Sequence, residues 1–324
     1  VADDLERIER ALRESVTTED PFLTEVASHL IVAGGKRGRP AFAIGAAATA
    51  AEAMAPVPDD VVAGAVSVEL VHLGSLYHDD VMDDATTRRT VESVNARWGN
   101  LQAILAGDYL LAKASEIAAS LGTEVAGLLA ATIGRLCEGQ VLELQHTYNP
   151  LRTEESYLRS IEGKTASLYA TACRIGALTG GLPRDHVEAL TTFGRSFGMA
   201  FQIVDDVLDL VASDEQLGKP AGHDLIEGVY TLPVLRVLAR SDEQAARLST
   251  LLGRVLSIDE MHEARSIVRA SGEVDGAVAV ARTYVDAATT ALHRLGPSEA
   301  ATALSGAARH LVHAVSDIAA GVSS

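Results

Sequence analysis

Cysteines and aromatic residues are scarce in this sequence, and cations are outnumbered. Cys137 and Cys173 are the two cysteines among 324 residues. They lack metal-ligand spacing, so the sequence predicts two buried thiols in a reducing compartment rather than a zinc site or a disulfide framework. Phe, Trp and Tyr make up 4% of the chain. With alanine abundant, that favours close-packed helices over sheet. Lys and Arg number 27 against 44 Asp and Glu, a formal net charge of −17. Such a balance argues against a nucleic-acid partner, because phosphate backbones attract basic surfaces. It also makes any local cluster of cations informative. No uninterrupted apolar run reaches the ~18 residues of a membrane helix. The acidic opening VADDLERIER has no signal-peptide pattern. A cytoplasmic, non-transmembrane chain with one all-α domain over residues 1–324 is expected.

What the sequence does have is acid at the end of an apolar helix. Val61 to Tyr77 shows neither strand alternation nor proline, which predicts a helix. It leads into HDDVMDDATTRR, with Asp79, Asp80, Asp83 and Asp84. On a helix, Asp79 and Asp83 share a face, as do Asp80 and Asp84. Each such like-charge pair destabilises a helix by roughly 0.2–0.5 kcal/mol, so an offsetting cation is expected. Mg2+ takes one or two carboxylates together with substrate phosphates. The plainer alternative is an acidic helix end facing water. Arg88 and Arg89 follow at once, and their guanidinium forks suit phosphate oxygens.

A second cluster lies upstream, in GGKRGRP. Gly34 and Gly35 close a helix over Phe22–Val32, and Lys36, Arg37 and Arg39 put three cations into four positions before Pro40 opens the next helix. A helix N-terminus with glycines beside it suits a diphosphate; a solvated basic loop is the alternative. The helix after it is expected over Phe42–Met54. Asp59 or Asp60 should cap the long helix, on which His72 stands about two turns before Asp79. His72 could donate to a phosphate or be merely packed. Downstream, Ser93–Trp98 reads as a short helix closed by Gly99. Asp108 reads as a buried structural carboxylate on a helix over Leu101–Leu121, and Val125–Gln145 as a further helix. Thr153 should cap the next helix. Gly163 should interrupt it, so that Lys164 and Thr165 open a new helix with an ammonium and a hydroxyl for phosphate. Gly180–Pro183 marks another stop and restart.

The second acidic motif is FQIVDDVLDLV. Asp205, Asp206 and Asp209 repeat the offsets of Asp79, Asp80 and Asp83, within apolar flanks from Phe201 to Leu210. A solvated acidic face does not explain aspartates on a helix that is apolar on its other sides. Two such motifs facing each other across a cavity would hold several divalent ions.

With both motifs in place, the chain resembles the trans-isoprenyl (polyprenyl) diphosphate synthases, from about Gly34 to Pro233. GGKRGRP looks like the family's isopentenyl-diphosphate loop, HDDVMDDATTRR like its first aspartate-rich motif and FQIVDDVLD like its second. The resemblance implies a large all-α bundle around a central cavity, of roughly ten to twelve helices. It implies that Lys36, Arg39, His72 and Arg89 bind isopentenyl diphosphate. Arg88, Lys164, Thr165, Gln202 and Lys219 would hold an allylic diphosphate. Asp79, Asp83 and Asp205 would ligate Mg2+, roughly three ions in all, with Asp80 and Asp209 supporting and Asp206 completing the catalytic set. It implies a homodimer. Two departures stand out. Thr90, Val91 and Glu92 follow the arginine pair where the family often has Gly-x-Pro, and Val229 replaces a lysine before Thr231-Leu232-Pro233.

The small residues Ser75 and Gly74, four and five positions before Asp79, suggest a channel open along the helix, with Val71 and Val68 deeper. A product longer than geranylgeranyl diphosphate is expected. Three other functions fit parts of the pattern: a terpene cyclase, a metal-dependent phosphohydrolase using His72, His78 and Asp79, and a non-catalytic partner subunit of a prenyl synthase. The aspartates of the second motif speak against the cyclase, that motif and the basic loop against the phosphohydrolase, and the intact motifs against the partner subunit, which Val229 keeps open.

Overall fold

The chain is described from a computed structural model covering residues 2–50, 56–213 and 221–322. Lys219 lies outside the described residues. Two compact units are present, each assembled from separated stretches. Residues 1–133, 168–194 and 294–304 form one; residues 134–167, 195–293 and 305–324 form the other.

The first unit is built round α4 (Asp59–Met82). Val61, Ala65, Val68, Leu70, Val71, Leu73 and Tyr77 are fully buried. Each large aliphatic among them contributes about 1.5–3 kcal/mol. An apolar helix without a polar face must be covered on all sides. α2 (Pro21–Val32) covers one: Tyr77 donates through its hydroxyl to Val26 O at 2.8 Å. α6 (Asn100–Ser120) covers another at Gly74, where a Cβ would lie 3.0 Å from Gly107 O and 3.2 Å from Leu111. α9 (Ser167–Thr179) approaches at Gly64, where a Cβ would lie 2.5 Å from Ile175. α1 (Ala2–Ser15) and α3 (Gly38–Ala48) complete the packing. α5 (Val94–Trp98) follows; Ser93 is its N-cap rather than its first residue, and Gly99 closes it as predicted.

The second unit holds the end of α7 (Thr123–Leu144), α8 (Glu154–Ile161) and the second half of α10 (Arg184–Val211). After these come α11 (His223–Glu227), α12 (Leu232–Leu238), α13 (Glu243–Leu251), α14 (Ile258–Ala270) and α15 (Glu273–Leu292). The final helix is α16 (Glu299–Val322). Side-chain caps start several of them: Thr153 bonds Ser156 N at 3.1 Å, and Ser257 forms a capping box with Glu260.

The structure corrects several local readings. α3 stops at Ala48, short of Met54, and residues 51–55 lie outside the described residues. Pro58 is the N-cap of α4, with Asp59 and Asp60 in its first turn. Gly163 does not break the chain into two helices: residues Glu162–Ala166 form a π turn that joins α8 to α9. Among the described residues helices are more numerous than expected, and some, such as α11 and α12, are very short. Cys173 is buried but Cys137 is exposed. By length and composition α4 and α7 are both apolar enough to cross a membrane. α4 is mostly buried within the protein, whereas α7 is largely exposed.

Candidate active site

One cluster of candidate residues, in the first unit, is a convergence of arginines on α4. Arg37 takes a left-handed backbone (φ 45°) and turns its guanidinium inward. It donates to Glu69 Oε1 at 3.0 Å, to Ile31 O at 3.0 Å and to Glu9. Glu69 is itself buried, and burial raises its pKa against the pull of Arg37. Arg37 is thus bound within the protein, and its neighbours are left to meet ligand. Arg39 lies with its guanidinium carbon 4.8 Å over the Tyr169 ring, and its Nε is buried without a hydrogen-bond partner. Lys36 is exposed.

Arg88 and Arg89 arrive on a structure the sequence did not reveal. β1 (Thr87–Arg88) and β2 (Val91–Glu92) pair antiparallel, with Thr87 opposite Glu92. Arg89 and Thr90 form the two-residue turn between them, at φ 53° and 67°. Positive φ at both positions is the geometry of a type I′ turn, normally made by Asn and Gly. Here the turn points Arg89 back to the basic loop: it donates to Leu30 O at 3.0 Å and to Gly34 O. Gly35 makes room, since a Cβ there would lie 2.7 Å from the Arg89 guanidinium carbon. Arg88 instead pairs with Asp80, at 2.6 and 2.7 Å. His72 sits among these cations. Burial first, then the fields of Arg39, Arg89, Arg88 and Arg37, hold its pKa well below the usual 6.5, so the ring is neutral and can donate a hydrogen bond.

The aspartates of the first motif diverge. Asp80 is fully buried, with Arg88 on Oδ1 and no hydrogen-bond partner at Oδ2. Asp79 is half-buried, and Asp83, the C-cap of α4, is exposed. His78 turns away, with Nε2 at 3.2 Å from Ile104 O and 3.4 Å from Asp108. Asp108 is exposed rather than buried as expected; its side chain is 63% accessible.

A second cluster, in the second unit, lies on α10 and the π turn. Asp205 is exposed, whereas Asp206 and Asp209 are buried. Asp206 accepts from Tyr157 OH at 2.5 Å and from Gln202 Nε2 at 2.8 Å. Burial nonetheless pushes its pKa up to about 7. Thr165 donates to Gln202 Oε1 at 2.8 Å, so Thr165, Gln202, Asp206 and Tyr157 form one chain of hydrogen bonds. Lys164 donates to Glu143 at 2.7 Å. The π turn sets this up. A Cβ at Gly139 of α7 would lie 2.4 Å from Lys164 N, and one at Gly163 would lie 2.7 Å from Arg135 O. Two glycines let the backbones touch. π turns of this kind concentrate at functional sites.

These residues fit a divalent cation in part. Among the described residues no three His, Cys, Asp or Glu side chains are arranged to hold a metal ion. The donors are hard carboxylates, and Asp80 keeps a buried oxygen unspent. That set suits a cation that brings a diphosphate as its remaining ligands, and does not form a closed protein cage.

Sequence reasoning missed Tyr157, Arg152, Glu143 and Glu69. Arg152 is buried, 5.6 Å from the Tyr157 ring, with its Nε unpartnered. A signal existed for Glu69 alone: a carboxylate in an apolar helix run requires a cation.

Comparison with known proteins agrees with this geometry. The family model for polyprenyl synthetase matches residues 20–268. Heptaprenyl diphosphate synthase component 2 of Geobacillus stearothermophilus is 41% identical, over 93% of this chain and 92% of the relative. Nonaprenyl diphosphate synthase of Mycobacterium tuberculosis is 42% identical, over 82% of this chain and 78% of the relative. A polyprenyl synthase from Caulobacter crescentus, solved with calcium and isoprenyl diphosphate, superposes with a TM-score of 0.89. It is 33% identical, over 96% of this chain and 94% of that one. All-α architecture, two aspartate motifs and a convergence of arginines therefore have one explanation: the chain belongs to the polyprenyl synthetase family, the trans-isoprenyl diphosphate synthases.

Proposed function

We propose that the chain condenses isopentenyl diphosphate with an allylic diphosphate, dependent on Mg2+, to give an all-trans polyprenyl diphosphate longer than geranylgeranyl. The observation that carries this reading is the convergence of Arg37, Arg39, Arg88 and Arg89 on a neutral His72 in a chain of net charge −17. A local positive field in an acidic protein marks an anionic ligand.

Arg39 and Arg89 bind the diphosphate of isopentenyl diphosphate, and neutral His72 donates to it. Lys36, exposed, adds charge at the mouth. Arg88 orients Asp80 and holds the allylic diphosphate with Lys164, Thr165 and Gln202. Lys164 exchanges Glu143 for a phosphate oxygen when substrate enters. Asp79, Asp83 and Asp205, with Asp80 and Asp209 beside them, would hold Mg2+, which when bound would supply positive charge to the leaving diphosphate. The leaving group then departs from the allylic carbon, the double bond of isopentenyl diphosphate attacks that carbon, and released diphosphate takes the proton. Asp206, held by Tyr157 and Gln202, keeps the helix registered. The apolar walls exclude water that would quench the cation. Relatives named for heptaprenyl and nonaprenyl products support the long product.

A homodimer is part of this reading. Leu101 and Leu105 are 73% and 65% exposed on one face of α6, with Ile104 between them. Exposed apolar faces of this kind mark interaction surfaces. Leu101→Glu with Leu105→Glu should sediment as a monomer.

The test incubates purified protein with farnesyl diphosphate, isopentenyl diphosphate and Mg2+, and measures product length. Products beyond twenty carbons are expected. Cyclisation, phosphate release or shorter chains overturn the reading. Turnover that appears only after a second, different subunit is added replaces the homodimer with a two-component enzyme.

A further inference from the structure

The aspartates of the second motif occupy the last two turns of α10, where the helix carbonyls run out of intrahelical donors. Their direction depends on how that end is held. Arg265, far downstream on α14, holds it: Nε donates to Leu210 O at 2.6 Å, and a terminal nitrogen donates to Ala212 O. A cation here also meets the negative end of the helix dipole. One turn earlier on α14, Met261 packs against Gly222, where a Cβ would lie 2.5 Å from the sulfur. Gly222 N in turn donates to Asp209 O at 2.9 Å, and Asp224 N donates to Asp209 Oδ2 at 3.2 Å. α14 therefore grips Asp209 from two directions: through the helix end and through the chain that folds back over it.

We propose that Arg265 is the positioning residue of the second aspartate motif. It fixes the last turn of α10 so that Asp205 and Asp209 present their carboxylates to divalent cation in one geometry. The inference rests on the reading that this motif takes the metal. A fork with two parallel donors spans two carbonyls; the single ammonium of lysine reaches one.

The test uses the full chain as Arg265→Met and Arg265→Lys, the latter keeping charge should the former fail to fold. Amide hydrogen exchange over residues 205–213, Mn2+ binding in the presence of inorganic diphosphate, and steady-state kinetics are measured on each. Exchange should quicken at the end of α10 and not elsewhere. Mn2+ affinity should fall roughly 10- to 100-fold, the range for residues that orient metal ligands. The Mg2+ concentration for half-maximal turnover should rise with it, while the KM for isopentenyl diphosphate stays put. Lysine should restore part of each loss. Unchanged exchange and metal affinity overturn the proposal, and so does a loss of protection spread evenly over the unit, which is the mark of a merely structural role. If the wild type has no prenyltransferase activity, the functional reading fails, and exchange with Mn2+ binding still decides whether Arg265 orients the motif.

Discussion

Arg37 and Arg39 stand two positions apart and do unrelated work. Arg37 neutralises buried Glu69, so Arg37→Met should destabilise the fold by about 3–5 kcal/mol, the usual cost of stranding a buried charge; urea unfolding measures it. Arg39→Ala should leave stability nearly intact. It should raise the KM for isopentenyl diphosphate roughly 10- to 100-fold, for a lost charge-assisted bond of about 1.5–3 kcal/mol, and affect the allylic substrate far less. Equal losses for both substrates would remove Arg39 from the isopentenyl site. His72 supplies a pH signature. Its folded-state pKa lies below the unfolded 6.5, so the unfolded chain takes up a proton that the folded chain refuses. Its contribution to stability is complete above that value and declines as pH falls below it. Comparing wild type with His72→Gln by urea unfolding at pH 5.5 and 7.5, roughly either side of that value, should show a smaller loss on acidification in the variant. The cluster of cations was legible in the sequence because an acidic chain makes it conspicuous. Which cation would be spent internally was not, because Glu9 and Glu69 come from other helices.

Helices were legible where proline and glycine punctuate the chain: at Gly34 and Gly35, at Gly99 and at Pro183. The hairpin at Arg88–Val91 was not, because Arg89 and Thr90 are poor I′ turn residues and packing imposes the turn. The π turn escaped for a related reason: Gly163 looks like a stop, and only its approach to α7 shows that it is a contact. Gly74 tells a similar story. Its missing side chain faces the backbone of α6, so its smallness is explained by helix packing and not by a channel. Gly74→Ala should cost about 1–3 kcal/mol, as overpacking does, with the product spectrum unchanged. A stable variant with shortened products would return Gly74 to the channel wall. On α10, the alternation of exposed Asp205 with buried Asp206 follows from helix geometry, but the partners of Asp206 could not be named from sequence. Tyr157 carries no local signal.

At the scale of the whole molecule, Arg37 with Glu69, Arg88 with Asp80 and Lys164 with Glu143 are paired by protein groups alone, so the fold should not need metal. Chelation by EDTA should abolish turnover and leave the helical circular dichroism and its melting curve in place; loss of helix on chelation would make the metal structural. The interleaving of the two units has a different consequence, for the order in which the protein can be made. Leu304 lies 3.0 Å from where a Cβ on Gly45 would stand, and both belong to the first unit, which draws residues 294–304 from near the end of the chain. A ribosome that has released only the first 133 residues has exposed most of that unit's apolar helices without the segments that cover them. Neither unit can close until nearly all of the chain has emerged, so native structure arrives late and over long sequence separations. During synthesis α4, with its almost unbroken apolar surface, is the segment most in need of a chaperone.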